Sequence, residues 1–227
     1  GDLHLTVPML FAIGFIFTFI HGGLTGLFLG NVTVDLPLSD TYFVIGHFHM
    51  VMGVSPVLVL FAAIYHWFPK ITGRMFHTGL GKLHFWFTLV GTYSIYLPMH
   101  YLGILGLPRR YFAYGDTDFI PESAHLMNAG ITIAALLVAA AQCLFFINVI
   151  WSLMKGKKSG PNPWRAASLE WLTPDTPPKH GNWGAELPEV HRWPYDYSVP
   201  GATQDFIPQT VPANSGVAPR NEQETEG

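Results

Sequence analysis

Two histidines one residue apart, His47 and His49, sit in the stretch D-T-Y-F-V-I-G-H-F-H-M-V-M from Asp40 to Met52. Imidazole is the commonest metal-binding side chain, so this pair is where chemistry would be sought first. In a helix, residues two apart are rotated by ~200°, so the rings leave opposite faces and cannot share one ion. A strand would also send them to opposite sides. The pair therefore suits one helix wedged between two metal centres, and imidazole is a common axial ligand of haem iron. Two haems flanking one helix is the sharp reading; two polar residues facing a bundle interior is the plain one.

The elements that must carry this pair are membrane helices. Of 227 residues, 49% are hydrophobic, 15% aromatic and only 12% charged, with a mean hydropathy of +0.28. A soluble domain carries about 25% charged residues. The net charge of −3 and the lack of any basic stripe exclude a nucleic-acid partner. The one cysteine, Cys143, excludes a disulfide framework and a cysteine-based zinc site. No signal peptide opens the chain and its first residue is Gly1, which fits a fragment of a longer chain or a processed one.

Asp, Glu, Lys and Arg are missing from 3–34, 41–69, 83–108 and 123–154, each long enough for the ~20 residues that cross a bilayer. The fold class expected is an all-α membrane protein with four transmembrane helices, at about 6–28, 42–68, 83–105 and 121–154, followed by an irregular polar tail over 156–227. Pro8 suits a first helical turn. Gly22, Gly23, Thr25 and Gly26 give a small-residue surface for close helix packing. Residues 30–39 read as a linker, with Ser39 or Asp40 capping the next helix. The second span is expected to end at Pro69. In the tail, Trp164, Trp171 and Trp193 are expected to anchor at an interface or on neighbouring subunits, no separate domain is expected, and 221–227 reads as disordered.

Four crossings place Lys70, Arg74, Lys82, Lys155, Lys157 and Lys158 on one side, which the positive-inside rule makes cytoplasmic or matrix. Arg109 and Arg110 fall on the other side, at the membrane end that holds His47 and His49. Guanidinium forks match carboxylates, and haem carries two propionates, so the arginines would have a desolvated, paired role there. Binding of lipid headgroups is the alternative.

The string D-T-Y-F-V-I-G-H-F-H-M-V resembles the signature helix of subunit I of the haem–copper oxidases, the catalytic subunit of cytochrome c oxidase. The likeness extends to F-I-F-T-F-I-H-G-G-L-T-G before it and to H-W-F-P-K-I-T-G and H-Y-L-G-I-L-G-L-P-R-R-Y after it, covering residues 1 to about 155. The resemblance implies that these are the last four helices of a twelve-helix subunit. It implies that His47 is the proximal ligand of the O2-reducing haem and that His49 is an axial ligand of a low-spin haem. Phe48 lies between them. Arg109 and Arg110 match the propionate-binding pair, with Asp35 and Tyr42 near the propionates.

The expected cofactors are two haems, of a type, with copper held by residues outside this chain. The family pattern has His-Asp before T-Y-F as ligands of an outer-side Mg2+ or Mn2+; here the pair is Ser39-Asp40, and either residue could instead be a plain helix cap. His21, His66, His77, His84, His100 and His125 match no ligand position, and loop or packing roles are expected of them. The implied activity is O2 reduction to water with electrons from cytochrome c, coupled to proton pumping. It would be shared with the N-terminal part of subunit I, with subunits II and III and with membrane lipid, in a bacterial or mitochondrial inner membrane. A quinol-oxidising relative and a non-catalytic bundle of bis-histidine haems are the alternatives.

Overall fold

The computed structural model describes residues 4–111, 120–175, 179, 182–183, 186–194 and 207–212. The disorder expected at 221–227 lies outside them. Contacts divide the chain into two compact units, one of Leu5–His66 with Phe76–Met154, the other of Gly1–His4, Trp67–Met75 and Lys155–Gly227. Seven α-helices occur among the described residues: α1 Val7–Leu29, α2 Val32–Leu38, α3 Tyr42–Phe48, α4 Ser55–Thr72, α5 Thr78–Ile104, α6 Glu122–Lys155 and α7 Leu169–Leu172. No strand is found among these residues.

The start of each helix follows its capping chemistry. Thr6 caps α1, its hydroxyl accepting the Met9 N–H at 3.4 Å, and Pro8 occupies the first turn. Residues 30–39 are not an open linker. The Asn31 side chain accepts the N–H groups of Thr33 and Val34 at 3.1 and 3.4 Å and launches α2, which continues over Pro37. Neither Ser39 nor Asp40 caps the following helix. Ser39 ends α2, Asp40 takes a left-handed backbone with φ 59°, and Thr41 is the cap, accepting the Phe43 N–H at 3.2 Å.

The second apolar segment is helical from Tyr42 to Thr72, past Pro69, but it changes pitch. His49–Val54 forms a π-helical turn. Pro56 has no N–H to give and its ring would crowd the carbonyl one turn back, so the ladder widens ahead of it. Ser55 fits the wider turn, its hydroxyl donating to the Met50 carbonyl five residues back at 2.6 Å.

Among the described residues, three helical segments are long and apolar enough to cross a membrane: Val7–Leu29, Tyr42–Thr72 and Glu122–Lys155. The fourth, α5, has 27 residues but is diluted by polar ones, and His84, Thr88, Thr92 and His100 are all buried.

In the larger unit α3 lies against α5. Two glycines allow the approach. A Cβ on Gly46 would stand 2.8 Å from the His100 ring, and one on Gly103 would strike the Phe43 backbone nitrogen. Ile95, Leu102, Leu107, Ile120, Ala124 and Ile131 form an apolar core beside them. A second core is aromatic: Phe11 packs on Phe61, Tyr65 and Phe85, and His84 sits among these rings with Tyr65 Oη and Gln142 Oε1 at 3.2 and 3.1 Å from its nitrogens. Of the α1 glycines expected to pack, Gly22 and Gly26 do, against Val51 and His47, whereas Gly23 faces open space.

Beyond Lys155 the described residues of the smaller unit are irregular apart from α7, and polar contacts tie its stretches together. The Lys70 ammonium is buried and donates to the carbonyls of Pro161 at 3.2 Å and Thr173 at 3.5 Å, with the Trp171 ring 5.9 Å away. Trp171 is 1% exposed, packed edge-on to Trp164 rather than free to anchor elsewhere; Trp193 is exposed. Gln209 joins distant stretches, accepting the Leu169 N–H at 2.9 Å and donating to the Arg192 carbonyl at 3.1 Å.

Gly103→Ala must push α5 away from α3 and should destabilise the assembled protein by about 1–3 kcal/mol. Gly23→Ala, with free space and better helix propensity, should be neutral or stabilising by up to about 1 kcal/mol. Thermal unfolding of the two purified variants checks the contrast.

Candidate metal centre

The two imidazoles leave the helical segment on opposite flanks, His47 from the end of α3 and His49 from the start of the π-helical turn. His47 is turned to α1, its Nδ1 lying 2.8 Å from the Gly22 carbonyl and 3.1 Å from the Thr25 hydroxyl. The carbonyl can only accept, and Thr25 already donates to the same oxygen at 2.7 Å, so Nδ1 carries the proton. His49 is turned to α5 and stacks on Tyr96 with centroids 5.0 Å apart. Its Nδ1 lies 2.9 Å from the Ile45 carbonyl one turn back, which again places the proton on Nδ1. In the neutral form of each ring the lone pair is therefore on Nε2, the nitrogen left to bind a metal, with the Nδ1 hydrogen bond fixing ring and tautomer.

Each ring rests where a side chain has been left out. A Cβ on Gly26 would come within 2.8 Å of His47 Cε1, and one on Gly53 within 3.2 Å of His49 Cδ2. Gly53 lies in the π-helical turn, so the widened pitch and the missing side chain both serve His49. Phe48, half-exposed, places its ring 4.3 Å from that of His49.

His49 lines a cleft of about 590 Å³ together with Tyr42, Ile45, Ile95, Tyr96, Met99, His125, Asn128 and three further residues of α6. That volume lies in the range of cofactor sites, and its walls mix apolar side chains with the polar groups of His49, His125 and Asn128. Each ring turns one nitrogen outward on its own flank, an arrangement that fits a group taking a single imidazole, such as a haem. A metal held by clustered side chains does not fit, since no three His, Cys, Asp or Glu converge among the described residues.

Arg109 and Arg110 reach the α3 end of the unit, as the topology requires. The backbone ties them there: Tyr42 N–H donates to the Leu107 carbonyl at 2.9 Å and Arg109 N–H to the Asp40 carbonyl at 2.9 Å. The Arg109 guanidinium donates through Nε at 2.8 Å and Nη2 at 2.6 Å to one oxygen, Oδ1, of Asp40. Arg110 is exposed, in a left-handed conformation with φ 66°. Tyr42 stands on the wall of the His49 cleft, and Asp35 is in the first turn of α2.

Tyr96, Thr25, Gly53 and His125 were not singled out as parts of the site. For His125 a signal existed: it opens α6 at the same membrane end as His47 and His49, so topology alone would bring it near. The glycine cradles carry no such signal, because small residues in an apolar helix also serve ordinary packing.

The family description "Cytochrome C and Quinol oxidase polypeptide I" matches residues 1–137. The alternative cytochrome c oxidase subunit 1 of Bradyrhizobium diazoefficiens is 66% identical over 223 residues, 96% of this chain and 38% of that one. Cytochrome c oxidase subunit 1 of Thermostichus vulcanus is 47% identical over 199 residues, 88% of this chain and 35% of that one. The chain thus spans little more than a third of these curated relatives. A solved heme-copper terminal oxidase dimer shares the fold, with a TM-score of 0.58 at 23% identity over 67% of this chain and 28% of that chain.

The left-handed backbone at Asp40 and its ion pair can be separated by substitution. Asp40→Gly keeps the conformation and should cost no more than the exposed ion pair, about 0.2–1 kcal/mol. Asp40→Val should cost more, since a β-branched residue resists positive φ. Denaturation of both variants, with Arg109→Ala to complete a double-mutant cycle, measures the two contributions.

Proposed function

Because the chain belongs to the subunit I family of cytochrome c and quinol oxidases, we propose that it presents one histidine to each of two haems in a terminal respiratory oxidase. His47 is the ligand of the haem at the O2-reducing centre, and His49 is one axial ligand of the low-spin haem. The observation that carries this reading is the paired geometry where α3 runs into the π-helical turn: two rings on opposite flanks, each held at Nδ1 by a backbone carbonyl and each with Nε2 left as a ligand. When bound, haem supplies one-electron and O2 chemistry, and the protein supplies binding, orientation and electrostatics. The π-helical turn and the Gly26 and Gly53 cradles orient the rings.

Arg109 and Arg110 bind propionates at this end, with Tyr42 beside them and Asp35 near by; Asp40 fixes the direction of the Arg109 fork. The outer-side Mg2+ or Mn2+ does not enter this reading. Ser39 replaces the expected histidine, and Asp40 Oδ1 is engaged by Arg109. Copper is held elsewhere in the subunit. The reaction is O2 reduction to water with electrons from cytochrome c, coupled to proton pumping; the names of the relatives favour cytochrome c over quinol as donor. The remainder of subunit I and subunits II and III complete the enzyme in a bacterial or mitochondrial inner membrane. The helix α5 spans that membrane as the fourth crossing, since its 27 residues reach about 40 Å. The smaller unit stands on the cytoplasmic or matrix side.

Spectra of the purified complex test the assignment. His47→Ala should abolish CO binding while the low-spin band persists, and His49→Ala should remove the low-spin band. Loss of both bands from either single variant, in a complex that still assembles, contradicts separate roles.

A further inference from the structure

His100 is 6% exposed, on the face of α5 that meets α1 and α3. Its Nδ1 lies 2.8 Å from the Tyr96 carbonyl, which only accepts, so Nδ1 holds the proton and Nε2 holds a lone pair. That Nε2 is buried and has no hydrogen-bond partner among the described residues. Seven residues earlier on the same face of α5, about 10 Å along the axis, the Tyr93 hydroxyl is in the same condition.

The ring of His21, from α1, lies between them, its centroid 5.5 Å from that of Tyr93 and 6.1 Å from that of His100. Thr18, one turn along α1, is fully buried with its side chain near the Tyr93 hydroxyl, but its own proton is donated to the Gly14 carbonyl at 2.8 Å and it makes no well-formed hydrogen bond with Tyr93. Phe43 and Gly46 of α3 close the His100 end, the Phe43 ring edge-on at 5.0 Å.

Buried polar atoms in folded proteins are paired with protein or with ordered water, and a row of polar groups walled by apolar ones is where such water is held. In a bilayer no solvent from outside relieves them. His100 Nε2 is buried where α5 meets α1 and α3, and Tyr93 Oη is buried where α5 meets α1, so the partner of each must be small. We propose that His21, Tyr93 and His100 form an internal hydration site between α1 and α5, with ordered water as its ligand. One water donates to His100 Nε2 and another bonds the Tyr93 hydroxyl, with the His21 ring linking them. The site lies behind α3, against Gly46 rather than in the His49 cleft, and is independent of the haem assignment.

A cryo-EM map of the intact oxidase complex, at a resolution that shows ordered solvent, tests this. Discrete density within hydrogen-bond reach of His100 Nε2 and of Tyr93 Oη is expected. A dry space, or a direct bond from either atom to a protein group, overturns it. In Tyr93→Phe, and separately in His21→Val, the water nearest the altered side chain should vanish while the haem absorption bands stay unshifted. Water retained unchanged in both variants also overturns it.

Discussion

The hydrogen bond from each imidazole Nδ1 to a backbone carbonyl is the constraint on which the site depends. An imidazole with both nitrogens free can rotate, change tautomer or protonate; one fixed through Nδ1 has a single lone pair in a single direction. His47 finds its carbonyl across an interface, at Gly22 of α1, and His49 finds one on its own helix, at Ile45. The first bond requires α1 to lie close to α3, which Gly26 permits. The second requires only the helix itself, but Gly53 must then leave room for the ring. Packing and chemistry are therefore a single problem in this stretch. The glycines that let helices approach also shape the space around the ligands.

The same economy appears at the outer end. The left-handed turn at Asp40 sends α2 into α3 and turns the Asp40 carbonyl toward the Arg109 N–H, while the carboxylate takes the Arg109 side chain. Asp40 is largely exposed, so the ion pair adds little stability by itself. Its effect is directional, holding a guanidinium beside the wall that Tyr42 shares with His49.

Much of this was legible in the sequence because it follows from period and charge. Helix geometry alone sends His47 and His49 to opposite flanks, and counting apolar windows gives the long helices to within a few residues for α1 and α6. Topology brings Arg109 to the α3 end. What was hidden depends on contacts between distant residues or on competing local signals. Residues 30–39 read as a linker because of Pro37, yet Asn31 was the stronger cap. Pro56 marked a place where the ladder must yield, but a π-helical turn and a kink look alike in a sequence. The tail was polar and proline-containing, and nothing in its composition revealed that Lys70 would be buried among the carbonyls of Pro161 and Thr173.

The most direct measurement is the iron coordination in a structure of the complete oxidase purified from its own membrane. The account predicts two irons, one bonded to Nε2 of His47 and the other to Nε2 of His49, with each Nδ1 still on the Gly22 and Ile45 carbonyls. Both rings on one iron, an iron on Nδ1 of either ring, or neither ring near iron would contradict it.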